Sequence, residues 1–412
     1  MTTLSYLQRK TVRTLHLLQL SQHIHKDIQI FYRNESSFVP KKVLIVAKTS
    51  RYYMERLREP ELSEDLFKHK LIARGSDYDA LFAGHMITKD VETRLVNTLK
   101  KMNIEYRVVN RCSLNKASFA WADLIVPVGG DGTFLLASNL INDNKKPIVG
   151  INSYPKRSEG FLMLPPKYTT DLSSIFEMLK AGEYSILMRS RIRTTLTGEG
   201  VWCEPFHMHE KGRVAGSGSW NEGINMVPDK KGALPKTRIL PWLALNEVFM
   251  GESLSARTSS LIIKLDDDDR AHKIKSSGLC LSTGTGSTSW YRAINSLSTQ
   301  TVEELLHLID KNKTFKKDEV ERICSEFNKN LQIKPDDDRL CYAIRDLIVT
   351  DVWPAPKYIN TRGFCKRMTV ISQCFDAGLV IDGGIAVPFN VGITAKLEYF
   401  PEDSLRTINL AD

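Results

Sequence analysis

What this sequence lacks narrows it first. None of its seven cysteines forms a Cys-x-x-Cys pair, and the number is odd. That pattern argues against a disulfide framework and a structural zinc site, and it implies a reducing compartment. No apolar run is long enough to span a bilayer, so an integral membrane protein is not expected. The net charge is +9, yet lysine and arginine are spread along the chain, with no long basic block and no recognisable nucleic-acid module. The basic balance therefore points to phosphorylated small molecules as partners, not nucleic acid. Tandem repeats are absent, and no acidic residue precedes Asp27.

The acid-free stretch carries Arg9, Lys10, Arg13 and Lys26, followed by Arg33. Leu4, Leu7, Val12, Leu15 and Leu18 can share one helical face. A basic, amphipathic leader without a secretory apolar core has the pattern of a mitochondrial presequence. An ordinary surface helix is the alternative. Residues 1–38 are assigned to the presequence, and the matrix is the expected location.

What is present is organised around Asp123–Leu136. A short apolar run of strand type meets Gly129-Gly130-Asp131-Gly132-Thr133, and an apolar helix restarts at Phe134. Glycines at a strand-to-helix junction let backbone N–H groups approach an anion, and the helix N-terminus favours negative charge. Asp131 would be a lone carboxylate among phosphate-cradling amides, suited to accept a hydroxyl proton during phosphoryl transfer. It could equally cap the helix.

Around this turn the pattern alternates. Lys41–Lys48 reads as a buried strand, and residues 51–86 as irregular with some helix. Val91, Leu95, Leu99 and Met102 mark a helix, Tyr106–Val109 a second strand, and Ile148–Ile151 a fourth. Leu135, Leu136, Leu140 and Ile141 continue the helix after the glycine turn. Thr170-Asp171 opens a further helix that Gly182 stops. Beyond Arg189, Ile192, Thr194 and Leu196 alternate with Arg191 and Arg193 as a half-exposed strand. Residues 197–238 read as a long loop whose His207-Met208-His209-Glu210 is solvated and not a metal cluster.

Strand-type segments follow at Leu243–Met250, Ser260–Leu265, Lys273–Leu281, Tyr342–Val349, Arg367–Cys374 and Ile393–Phe400. Asp266–Asp269 and Asp336–Asp338 read as solvated turns. Two helices interrupt the strands. The first is capped by Thr301 with Glu304, and the second is striped by Val320, Ile323, Cys324 and Phe327. This inserted pair would cover an edge or a subunit contact.

Two more stretches stand out. Asn246-Glu247 interrupts an apolar strand, either as a site or as a strand end facing water. Ser282-Thr283-Gly284-Thr285-Gly286-Ser287-Thr288-Ser289-Trp290 is a second glycine turn, suited to a nucleotide or to a capped helix start.

Taken together, these motifs resemble the NAD kinase family. Gly129–Thr133 is similar to its GGDGT motif, Asn246-Glu247 to its NE motif, and residues 282–290 to its TPTGSTAY loop. Gly160-Phe161-Leu162 and Asp382-Gly383 resemble two further segments. The similarity spans about residues 41–400, and the leader and inserted helices point to the animal mitochondrial branch. Gly284 replaces a usual proline and should loosen the turn. Trp290 replaces a usual tyrosine.

The resemblance implies a Rossmann-like α/β nucleotide domain over 39–190. It also implies a C-terminal β-sandwich over 191–380, with inserted helices at about 301–330, and a segment 381–412 returning to the first domain. The implied reaction carries a phosphoryl group from ATP with Mg²⁺, or from polyphosphate, to the adenosine-ribose 2′-hydroxyl of NAD. Asp131 would be the base. Gly129, Gly130, Gly132 and Thr133 would hold donor phosphates. Asn246, Glu247, Thr285, Thr288, Ser289 and Trp290 would hold NAD. A homodimer is the family expectation. The alternatives are a lipid kinase of the diacylglycerol or sphingosine type, which shares GGDGT, and a non-catalytic NAD-binding protein.

Overall fold

The computed structural model describes residues 36–208, 235–311 and 313–410. All but the last three residues of the proposed presequence lie outside this range, as do His209 and Glu210.

The first domain is a parallel sheet with helices on both faces. β1 (Lys42–Ala47) is followed by α1 (Arg51–Arg58), α2 (Glu64–Ala73) and α3 (Tyr78–Lys101). β2 (Glu105–Asn110), α4 (Lys116–Trp121), β3 (Leu124–Gly129), α5 (Asp131–Ser138) and β4 (Ile151–Asn152) come next. α6 (Pro166–Thr170) and α7 (Leu172–Ala181) complete the covering layers. The strand order is β2-β1-β3-β4, all parallel. One face buries Val43, Ile45 and Val126 against Leu95 and Leu99 of α3 and Ile175 and Leu179 of α7. The other buries Leu44, Val46 and Ile125 against Phe119 of α4 and Phe134 and Ala137 of α5. Continuous apolar runs in β1 and β3 follow from burial on both faces.

Residues 51–86 are more helical than expected. Ser50, Ser63 and Asp77 each accept a first-turn amide and start α1, α2 and α3 in turn. Tyr52, Phe67 and Tyr78 pack together, and both tyrosine hydroxyls donate to Glu64. Each short helix buries few side chains, so its periodicity is weak. The helix after the glycine turn is shorter than expected: it stops at Ser138, and Leu140 and Ile141 lie in the turns that follow. The fourth strand contracts to Ile151–Asn152, with Ile148 bridging Ile125. α7 begins and ends as expected, with Asp171 as its N-cap and Gly182 as its C-cap.

β5 (Tyr184–Arg189) leads into a sandwich of two antiparallel sheets. Its strands are β6 (Ile192–Thr197), β7 (Phe206–His207), β8 (Thr237–Ile239), β9 (Glu247–Glu252), β10 (Ser259–Leu265), β11 (His272–Ser276) and β12 (Gly278–Ser282). After α8 (Trp290–Asn295), α9 (Thr299–Ile309) and α10 (Lys317–Lys329) come β13 (Leu340–Arg345), β14 (Arg362–Cys365), β15 (Arg367–Ser372), β16 (Ala377–Ile381), β17 (Ile385–Pro388) and β18 (Thr394–Tyr399). Among the described residues the orders are β11-β10-β15-β18-β6-β8 and β14-β13-β12-β9-β16-β17-β7. Leu261, Met368 and Leu397 of one sheet share a core with Met250, Leu281 and Leu379 of the other.

Two expectations change here. Lys273–Leu281 is two strands in different sheets, because Gly278, the first residue of β12, takes φ +150° where the chain crosses the sandwich from β11. The N-cap of α9 is Ser298, whose hydroxyl accepts the Thr301 amide at 3.1 Å. Thr301 is therefore inside the helix, and Glu304 accepts from Gln300 instead.

Finally β19 (Leu405–Leu410) pairs antiparallel with β5, and its backbone bonds Ile148 at the edge of the first sheet.

Candidate functional site

A cavity of about 560 Å³ opens at the carboxyl ends of β1, β2 and β3, where ligands bind in parallel α/β sheets. Lys48 and Thr49 follow β1, Arg111 follows β2, and Gly130–Thr133 follow β3. Arg157 and Ser158 add another side, while Trp242 and Asp382–Ile385 come from the sandwich. The cavity is therefore shared by both domains.

The glycine turn is built for approach. Gly130 is the N-cap of α5 and supplies no side-chain cap. The first-turn N–H groups of a helix have no intrahelical acceptor, and the space in front of Gly132 is open where a side chain would stand. Gly129 lies behind, buried at the end of β3 against Thr133 and Lys48.

Asp131 does not cap its own helix. Its carboxylate leaves the first turn and accepts the amides of Leu162 at 2.9 Å and Phe161 at 3.2 Å. The side chain ties the 158–163 turn to α5 while remaining half-buried at the cavity wall.

The second half of the site is centred on Asp382, which takes φ +49°. Its carboxylate accepts three successive amides, from Leu245, Asn246 and Glu247, at 3.0, 2.7 and 3.2 Å. Burial pushes Asp382 up to about 6 against the pull of those amides and of Arg191. Glu247 is buried beside it, with Oε2 lacking a partner among the described residues. Burial and then the neighbouring Asp382 charge push Glu247 up to about 8, while a hydrogen bond with the Ser289 side chain acts in the opposite direction. Glu247, at the start of β9, thus forms a buried acid pair with Asp382 and does not face water, while Asn246 before it is half-buried.

The second glycine turn packs against the same strand. Thr283 Oγ1 donates to the Leu245 carbonyl at 2.6 Å, and the Ser282 hydroxyl to that of Asn246 at 3.1 Å. A 3₁₀ turn over Thr285–Thr288 then leads into α8. Gly284 does not loosen this turn: its φ of −59° is ordinary. The Lys334 carbonyl fills the space a Cβ would need, which excludes proline here although φ would suit it. Residues 331–338, returning from the inserted helices, form this strap. Ile333 N donates to Ser287 Oγ at 2.9 Å, and the Ser190 hydroxyl to the Asp337 carbonyl at 2.6 Å. The helical pair itself packs Val302 against Val320 and Cys324.

The expected site residues fall into two groups. Gly130, Asp131, Gly132 and Thr133 line the cavity. Glu247, Thr285, Thr288 and Ser289 lie in the second turn and the strand it packs on, joined to the cavity through Asp382. Trp290 is 43% exposed, with its ring 5.7 Å from Phe249 and 5.5 Å from the Arg345 guanidinium.

Sequence reasoning missed Lys48, Arg111 and Arg157, whose signal is a cation just past a parallel strand or in the loop facing one. It also missed Arg189, which closes β5, and the anchoring role of Asp382. Arg191 was misjudged. Its side chain is fully buried, not half-exposed, and donates to the carbonyls of Asp403, Ser138, Ile141 and Asp143.

Comparison with known proteins fits this geometry. A family model, ATP-NAD kinase N-terminal domain, matches residues 72–163. The chain is 39% identical over 383 residues to NAD kinase 2, mitochondrial, of Rattus norvegicus, covering 91% of this chain and 89% of the relative. To the same-named protein of Homo sapiens it is 38% identical over 385 residues, covering 92% and 86%. The crystal structure of yeast NADH kinase complexed with NADH superposes with a TM-score of 0.50 at 11% identity, over 90% of this chain and 84% of that one, a likeness of fold.

Proposed function

Since the chain belongs to the NAD kinase family, we propose that its inter-domain cavity is where a phosphoryl group passes from ATP to the adenosine-ribose 2′-hydroxyl of NAD, giving ADP and NADP. The observation that carries this is the meeting of Gly130–Thr133, three cations and Asp382 around Asp131 at the carboxyl ends of parallel strands. Lys48, Arg111, Arg157 and the amides at the start of α5 bind the donor's phosphates, with Gly129 behind them. Asn246 and Glu247 bind the acceptor's ribose and base, and Thr285, Thr288, Ser289 and Trp290 complete its pocket.

In the reaction the 2′-oxygen bonds to the γ-phosphorus while the bond to the β,γ-bridging oxygen breaks and ADP leaves. The hydroxyl proton passes to Asp131. A loose transition state asks the base to orient the hydroxyl and take its proton late. The same cavity suits polyphosphate as donor. Among the described residues no cluster of three or more ligating side chains is present. A magnesium ion carried mainly by the donor's phosphates would neutralise their charge, and Asp131 and Asp382, which line the cavity, would be the carboxylates available to it.

The mitochondrial names of the relatives support a mitochondrial address, with residues 1–38 directing import to the matrix. A symmetric homodimer is the proposed assembly. The test is an assay of the purified chain with ATP, Mg²⁺ and either NAD or diacylglycerol. NADP formation is expected. Phosphorylation of the lipid without NADP would overturn the reading.

A further inference from the structure

Arg189 ends β5, where the chain leaves the first domain. The residue is 9% exposed. Nη1 donates to Thr285 Oγ1 at 3.3 Å, and Nε has no acceptor among the described residues. Among the described residues the guanidinium forms no ion pair. Burial pushes it down to about 10, with Asp131 and then Asp336 as the charges that oppose this, so it is a cation at neutral pH.

A buried cation with unused donors is costly unless something pairs with it. Arg191, two positions on, is the internal contrast: fully buried, its guanidinium is spent on four backbone carbonyls. Arg189 instead holds one hydroxyl of the acceptor-side turn, and the charge of Asp131 on the donor-side turn acts on its guanidinium. Between those two turns an incoming anion would find a planar fork of donors, the geometry that matches phosphate oxygens.

We infer that Arg189 receives the phosphoryl group in transit, its free donors taking the transferred oxygens between Asp131 and Thr285. This rests on the reading of Asp131 as the base. The group moves without any further reactant: the oxygens that Arg189 binds are those of the phosphorus that leaves ATP and ends on the 2′-oxygen. The consequence is specific. NADP carries that phosphate and NAD does not, so Arg189 should matter to the product and the transition state far more than to the acceptor.

The experiment is calorimetric titration of full-length wild-type and Arg189→Gln protein with NAD and with NADP, alongside steady-state kinetics. The expected Arg189→Gln protein binds NAD within about threefold of wild type, binds NADP at least about tenfold more weakly, and loses about 10²–10³ in kcat, as when a preorganised donor is removed. Equal weakening of both ligands, or unchanged NADP affinity, would overturn the inference. If that variant does not fold, wild-type protein with bound NADP is followed by ³¹P NMR against pH. The 2′-phosphate should then titrate at least about one pH unit below its free value, and an unshifted titration would count against Arg189 equally. Asp131→Asn separates the two claims. If it keeps its rate, the base reading fails whatever Arg189→Gln does. If it loses its rate while Arg189→Gln binds NADP normally, only the inference fails.

Discussion

The Asp382 carboxylate accepts the Asn246 backbone N–H at 2.7 Å, joining the cavity wall to the start of the strand that carries Glu247. Because Leu245 and Glu247 donate to the same carboxylate, one side chain fixes the start of β9. Asp382→Asn keeps the shape but replaces an acceptor oxygen with an amide that faces backbone donors. Leaving buried donors unpaired costs about 1–3 kcal/mol each. The expected protein has a lower thermal midpoint and a KM for NAD raised more than its KM for ATP. Equal KM changes for both nucleotides would remove Asp382 from acceptor positioning.

Asp131→Asn should lower kcat by about 10²–10⁴, the usual worth of general acid–base help. A small fall in thermal midpoint should accompany it, because asparagine can accept only one of the Leu162 and Phe161 amides at full strength. Since Gly130, not Asp131, is the N-cap, helix capping cannot explain a rate loss. A normal rate with a lowered midpoint would leave Asp131 as a loop anchor only.

The acid pair makes stability depend on pH. Burial raises both Glu247, from 4.5 to about 8, and Asp382, from 3.8 to about 6. A carboxyl whose folded value is raised stabilises the fold most when protonated, below its unfolded value, and that contribution is lost as pH rises through the folded value. The thermal midpoint should therefore fall as pH climbs from about 4.5 to about 8. The two groups titrate as a unit. Glu247→Gln should flatten this fall and give the higher midpoint at pH about 8. Parallel curves for the two proteins would exclude the pair as its source.

Arg191→Met should be among the most destabilising substitutions in the chain. It takes the guanidinium away from four carbonyls in two chain segments, residues 138–143 and 403. A loss of about 3–5 kcal/mol is expected, the range seen when a buried charged network loses one partner. Urea unfolding measures it, and a loss under about 1 kcal/mol would mean that water replaces the guanidinium.

Much of this arrangement is legible in the sequence. Gly129–Thr133 announced a strand-to-helix turn because glycine spacing and the return of leucines mark both sides of it. Asp171 and Gly182 bracketed α7 because caps are local chemistry. What stayed hidden depends on contacts distant in sequence. Arg191 alternates with apolar residues as a surface arginine would, and only the carbonyls of residues 138–143 and 403 make it an interior one. Gly284 looked like a loosened proline position until the carbonyl of Lys334, fifty residues on, was found in the place of its side chain. The strand break at Gly278 followed from a backbone angle that composition does not announce.

The pairing of β5 with β19 ties positions 220 residues apart, as in the bond from the Thr407 hydroxyl to the Leu187 carbonyl. During synthesis the first sheet emerges early, but the strand that finishes its edge through Ile148 arrives only after the whole sandwich has been made. The nucleotide fold therefore cannot mature vectorially ahead of its partner. It waits in an incomplete form, and its completion clasps both halves at once. Chaperone dependence of the nascent chain, and a single cooperative unfolding step in place of two domain transitions, are the natural outcomes of such a clasp.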